Sequence, residues 1–154
     1  MIKMKEKGEE LEKKLTESCC GNPKLLLFDH DGTLVDTNLF YCSKKPSREM
    51  LNPETVGLIQ GTGYPYGIVA GTKKEHVDKT IELLPRKPLF TVCFEDYYPK
   101  TKPDPAPYLL ALTKVKLQGI GQEEVIVFED SDVGEESARQ AGFSVIRVRS
   151  YCKL

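Results

Sequence analysis

Residues 24–37 read Lys24-Leu25-Leu26-Leu27-Phe28-Asp29-His30-Asp31-Gly32-Thr33-Leu34-Val35-Asp36-Thr37. Four consecutive apolar residues with no polar alternation are the pattern of a strand buried on both faces, as in a parallel sheet covered by helices. The run ends on Asp29. In an open parallel sheet ligands lie beyond the carboxyl ends of the strands, so this carboxylate stands where a site is expected. Asp29 and Asp31, two apart on an extended chain, project toward the same side. That like-charge arrangement calls for a cation or an ionisation difference to relieve it. His30 points the other way, either as a satisfied polar residue beside the next segment or as a substrate contact. Asp36 fits the N-cap of a following helical turn.

Outward from this stretch, further apolar runs at 66–70, 89–94, 125–128 and 144–148 alternate with helical patterns at 53–60, 73–84, 105–118 and 133–141, the last stopped by Gly142. Strands alternating with helices predict an α/β fold, a central five-stranded parallel sheet with helices on both faces. The 154 residues suit one domain with a real core. Residues 24–154 are assigned to that domain. Residues 1–23 are dense in Lys and Glu, carry few apolar side chains and close on Gly-Asn-Pro. They read as a charged helix or arm outside the core.

A charged fraction of 29% with a net charge of -1 gives no basic excess of the kind that marks nucleic-acid binding. No apolar run is long enough to span a bilayer, and the charged N-terminus lacks the apolar core of a secretory signal. A cytoplasmic protein is expected. The five cysteines, including the adjacent Cys19 and Cys20, show no zinc or Cys-x-x-Cys spacing and read as reduced thiols; Cys93 is assigned to the core.

A second acidic cluster, Glu129-Asp130-Ser131-Asp132, closes the fourth apolar run at the same sheet edge as Asp29. Oxygen ligands from Asp29, Asp31 and Asp130 suit Mg²⁺. Zinc is disfavoured because no Cys accompanies them and His30 points the other way. After the third run, Lys102 in Thr-Lys-Pro-Asp-Pro supplies a cation beside a proline turn.

Taken together, Asp29 to Thr33 as Asp-x-Asp-Gly-Thr, Lys102 before proline, and Glu129-Asp130 continuing to Val133-Gly134 resemble the haloacid dehalogenase superfamily of aspartate-dependent phosphohydrolases. The resemblance covers roughly residues 24–148 and rests on three motifs in family order. It implies a Rossmann-like three-layer sandwich and a Mg²⁺-dependent phosphatase. In such an enzyme Asp29 is the nucleophile that forms an aspartyl-phosphate, and Asp31 is the general acid and base. Lys102 offsets the charge, and Asp29, Asp31 through its carbonyl, Glu129 through water and Asp130 hold the metal. His30, Gly32, Gly71 and Thr72 are candidate substrate contacts.

One motif departs from the family. Ala70 stands where a Ser or Thr hydroxyl is usual, so Thr72 or backbone N–H groups around Gly71 must hold the phosphate; losing one hydrogen bond to a charged group costs on the order of 1.5 to 3 kcal/mol. The segment 38–51 is too short for the helical cap of most relatives. A capless, open site implies a large phosphorylated substrate, a phosphoprotein ahead of a nucleic acid, with the oligomeric state left open. The alternatives are a degenerate binding protein of the same fold, or a phosphotransferase or mutase acting on a small phosphometabolite.

Overall fold

In the computed structural model, which describes residues 2–18 and 22–152, the apolar run after Lys24 is β1 (Leu25–Phe28), the middle strand of five. Its neighbours are β2 (Tyr66–Val69) and β4 (Val125–Glu129), flanked in turn by β3 (Phe90–Val92) and β5 (Ser144–Arg147). All pairs are parallel, in the order β3-β2-β1-β4-β5. The chain builds outward from β1 on one side and then returns to build on the other. The crevice between β1 and β4 is therefore the switch point at which such sheets bind ligands. Phe28 pairs with Phe128 in register, their rings stacked at 4.8 Å, so the next residues, Asp29 and Glu129, stand side by side at the sheet's edge.

Strand alternation divides the core in two. Leu26, Phe28, Ile68, Ile126 and Phe128 face one layer, formed by α1 (Ile2–Thr16), α3 (Pro53–Gly61) and α4 (Lys74–Leu83). Leu25, Leu27, Val69, Val125 and Val127 face the other, formed by α6 (Ala106–Leu117) and α7 (Asp132–Gln140), with Tyr97 of the short α5 (Phe94–Tyr97). This is the three-layer parallel α/β sandwich expected. The strands and the four main helices lie within a residue or two of the expected ranges. Gly142 ends α7 at φ +90° and Cys93 is buried.

Between β1 and α3 the chain forms α2 (Thr37–Cys42), capped by the Asp36 carboxylate accepting from the Asn38 and Leu39 N–H groups, and a 3₁₀ turn at Arg48–Met50. No cap domain is present among the described residues. No described helix is long and apolar enough to cross a membrane.

The N-terminal segment departs from expectation. It is helical, but Leu11 and Leu15 are buried in the core rather than standing outside it. Gly8 crosses α3 at Gly57 so closely that a Cβ on Gly8 would lie 2.3 Å from the Gly57 carbonyl carbon. Two buried leucines contribute about 3 to 6 kcal/mol, which a thin apolar stripe suffices to supply when backbones approach this closely. Cys19 and Cys20 lie outside the described residues.

Candidate active site

β1 delivers Asp29 and β4 delivers Glu129 and Asp130 to one sheet edge, and the loop after α5 brings Lys102 over them. Lys102 Nζ lies 2.8 Å from Asp29 Oδ1, 2.6 Å from Glu129 Oε1 and 3.0 Å from the Val69 carbonyl oxygen. The Tyr108 hydroxyl donates to the same Glu129 Oε1 at 2.5 Å. Thr33, fully buried, reaches Asp29 Oδ2 and Asp130 Oδ1, each at 3.2 Å.

Two glycines let the carboxylates sit this close. Gly32 has φ +79°, and a Cβ there would lie 2.1 Å from Asp130 Oδ2; one on Gly134 would lie 2.0 Å from Glu129 Oε2. The signature loop is braced from α3. Asn52, which caps that helix, donates its side-chain amide to the Thr33 carbonyl at 2.9 Å, and the Thr55 hydroxyl donates to the same oxygen at 2.6 Å.

Electrostatics sort the acids. Burial pushes the Asp29 carboxyl up, but the Lys102 ammonium and its hydrogen bond outweigh it and hold Asp29 below its ordinary value. Burial lowers Lys102, yet Asp29 and Glu129 together raise it well above the usual range. Glu129 is pushed up to about 8, by burial first and the Asp29 charge second, against the pull of Lys102. Asp130 is raised to about 6 for the same two leading reasons.

Asp29, Glu129 and Asp130 offer oxygens within 4.8 Å of one another. Glu129 Oε2 is buried with no hydrogen-bond partner among the described residues. Three crowded carboxylates, two with raised proton affinity and one with an orphaned oxygen, fit a hard divalent cation. The Asp31 carboxylate is not in this group; its Oδ1 is 3.0 Å from His30 Nδ1.

A cleft of about 300 Å³ opens over the acids, lined among others by Asp29, Asp31, Gly71, Lys102 and Asp130. Of the four expected substrate contacts, Gly71 lines it. Gly32 is buried against Asp130 and does not. His30 corrects the expectation of a contact: it is fully buried, with Nε2 2.7 Å from the Thr80 hydroxyl and Phe40 edge-on at 6.0 Å, so no substrate can touch it. Thr72 stands at the rim, its hydroxyl 2.6 Å from that of Tyr41 on α2. Sequence reasoning missed Tyr97, which lines the cleft and donates to the Ala70 carbonyl at 2.7 Å, and Tyr108. Tyr108 reads as an apolar position of the helix at 105–118 and Tyr97 falls between the expected elements, and only their hydroxyls, invisible to periodicity, reveal the role.

A doubly flanked parallel sheet with this acidic and lysine-bridged cluster at its switch point defines a Rossmann-like α/β protein with a carboxylate-based site. The chain belongs to the haloacid dehalogenase-like hydrolase family, whose profile matches residues 45–148, well over half of it. β1, with Asp29 and Asp31, precedes the matched stretch.

No curated protein matches the sequence. Solved structures share the fold. A protein from Bacteroides fragilis, provisionally described as a haloacid dehalogenase-like hydrolase, superposes with a TM-score of 0.63 at 19% identity, over 80% of this chain and 86% of that one. A predicted phosphoglycolate phosphatase from Haemophilus somnus gives 0.62 at 16%, over 84% and 87%. CbbY from Rhodobacter sphaeroides, in complex with xylulose-(1,5)bisphosphate, gives 0.60 at 16%, over 84% and 87%.

Proposed function

We propose that this chain is a Mg²⁺-dependent phosphatase that hydrolyses a phosphate monoester through an aspartyl-phosphate on Asp29. The observation that carries the reading is an ionised Asp29, held by Lys102 at 2.8 Å, that opens onto a cleft also lined by Asp31 and Gly71. Asp29 attacks phosphorus, and as the ester P–O bond breaks Asp31 gives its proton to the leaving oxygen. Asp31 then takes a proton from the water that attacks the phosphoryl group. The bond to Asp29 breaks, and inorganic phosphate leaves. Lys102 offsets the charge of Asp29 and of the phosphoryl oxygens. Asp29, Glu129, Asp130 and the Asp31 carbonyl would hold Mg²⁺, whose charge when bound offsets that of the transferring group.

The substrate class follows from access. Among the described residues the chain between β1 and α3 forms no more than α2 and a 3₁₀ turn, too little to close over a small molecule, so binding energy must come from a substrate's own surface. Lys44 and Lys45 after α2 and Lys73 beside Gly71 are exposed, which suits an anionic group displayed on a protein. A small phosphometabolite is the second reading, favoured by what the solved relatives bind or are predicted to hydrolyse.

The test is hydrolysis of an aryl phosphate with Mg²⁺ and with chelator, together with borohydride trapping during turnover. Mg²⁺-dependent release and reduction of residue 29 to homoserine are expected. Turnover without Mg²⁺, or no trapped residue, overturns the mechanism; a phosphopeptide panel turned over more slowly than sugar phosphates overturns the substrate class.

A further inference from the structure

The His30 ring is buried, yet both its nitrogens are used, and the groups they meet come from opposite ends of the chain's chemistry. Nε2 is 2.7 Å from Thr80 Oγ1 on α4, and Nδ1 is 3.0 Å from Asp31 Oδ1. The Thr80 hydroxyl has one proton and two acceptors in reach. The contact to the His76 carbonyl is 3.5 Å, the outer limit of a hydrogen bond, which favours donation to His30 Nε2, and on the other side of the ring an ionised Asp31 carboxylate can only accept. That leaves Nδ1 as the protonated nitrogen and makes it the donor to Asp31.

We infer that Thr80 and His30 form a positioning relay for Asp31: Thr80 fixes the tautomer of His30, and His30 N–H pins Asp31 Oδ1. This rests on the phosphatase reading above. With Oδ1 held, rotation of the side chain is restrained, and the second oxygen, Oδ2, is left to serve the cleft that Asp31 lines. The Asp31 side chain is 34% exposed, while His30 and Thr80 are at 0%, so the relay reaches Asp31 from the core without touching substrate. A threonine and a histidine that served only to satisfy each other would need neither the direction of this chain nor a carboxylate at its end.

The proton that Asp31 gives to the leaving oxygen matters in proportion to how poor the leaving group is. Phenyl phosphate, whose phenoxide is strongly basic, needs it; 2,4-dinitrophenyl phosphate, whose phenolate is stable, does not. Each variant is compared with wild type on the same ester, and kcat/KM reports the steps up to transfer to Asp29. Thr80→Val keeps shape and removes the hydroxyl, whereas Thr80→Ser restores it. Thr80→Val is expected to lower kcat/KM for phenyl phosphate about tenfold, a part of what general acid catalysis contributes. For the dinitrophenyl ester the loss stays below about threefold, and Thr80→Ser recovers most of the phenyl phosphate activity. Equal losses on both esters, no loss on either, or a Thr80→Ser variant as impaired as Thr80→Val would overturn the relay. Should Thr80→Val fail to fold, His30→Asn is expected to lose phenyl phosphate activity selectively while Thr80→Ser stays near wild type on both esters, and equal losses on both esters in His30→Asn would overturn the relay. Should the wild-type chain cleave neither ester, the phosphatase reading itself fails, and the relay with it.

Discussion

Lys102 Nζ and Asp29 Oδ1 lie 2.8 Å apart at the floor of the cleft, with both side chains 10% exposed, and the same ammonium serves Glu129 at 2.6 Å. One cation thus answers two carboxylates that emerge from adjacent strands in register, and its removal leaves both acids buried without a countercharge. Lys102→Met, close in length and apolar, is expected to destabilise the chelated protein by about 3 kcal/mol. For a chain of this size that lowers Tm by roughly 6 to 12 °C. A thermal melt within a degree or two of wild type would mean the ion pairs carry no net stability.

Replacing Asp29 by Asn preserves volume and keeps an oxygen near Lys102, but removes the attacking carboxylate. Turnover of an aryl phosphate should fall by more than about a thousandfold, as when nucleophiles are removed from other covalent enzymes, while far-ultraviolet circular dichroism stays that of the wild type. Residual activity above a few per cent in the purified variant would rule out covalent catalysis through this residue.

The raised proton affinities of Asp130, about 6, and Glu129, about 8, make the unliganded site pH-sensitive with a definite sign. In each case the native carboxyl binds its proton more tightly than the unfolded one, so stability falls as pH rises from their ordinary values of 3.8 and 4.5 through 6 and 8. Asp29 is shifted down, and its contribution is lost only as pH falls below its ordinary 3.8. Lys102, shifted up, loses its contribution only above 10.5. Mg²⁺ competes with those protons. The gain in Tm on adding saturating Mg²⁺ should therefore grow between pH 5 and pH 8, a comparison in which the other titrating groups cancel. A gain that is constant, or larger at pH 5, would count against the acidic cluster as the metal site.

Much of this was readable in the chain before the structure. A wholly apolar run that ends on a carboxylate can be satisfied in few places, and the end of a buried parallel strand is one; Asp29 and Asp130 were therefore located by strand pattern alone. Lys102 followed because its loop succeeds a third such strand. The packing of α1 was not readable. Two leucines among lysines and glutamates make a thin stripe, and its burial depends on Gly8 meeting Gly57, a coincidence of two distant glycines that no local pattern contains. Nor could periodicity reveal that Tyr108 points its hydroxyl at Glu129, or that the orphaned oxygen of Glu129 lies under Gly134. These are consequences of rotamers within a packed core, fixed only once both layers are assembled.

The phosphate loop supplies the last prediction. Ala70 carries no hydroxyl, and two substitutes were open: the Thr72 side chain, or backbone N–H groups around Gly71. The Thr72 hydroxyl is bonded to Tyr41 at 2.6 Å and Thr72 does not line the cleft, whereas Gly71 does, with nothing within 4 Å of where its Cβ would stand. The backbone is therefore the better candidate. If so, Thr72→Val and Tyr41→Phe break one and the same hydrogen bond between α2 and the loop. Each should lower kcat/KM by less than about threefold, and the double variant should be no worse than either single one, as expected for residues that act only through each other. If Thr72 holds the phosphate itself, its loss removes a hydrogen bond to a charged group, on the order of 1.5 to 3 kcal/mol, which is about 13- to 160-fold. Thr72→Val falling by that much while Tyr41→Phe remains near wild type would return the role to the threonine hydroxyl.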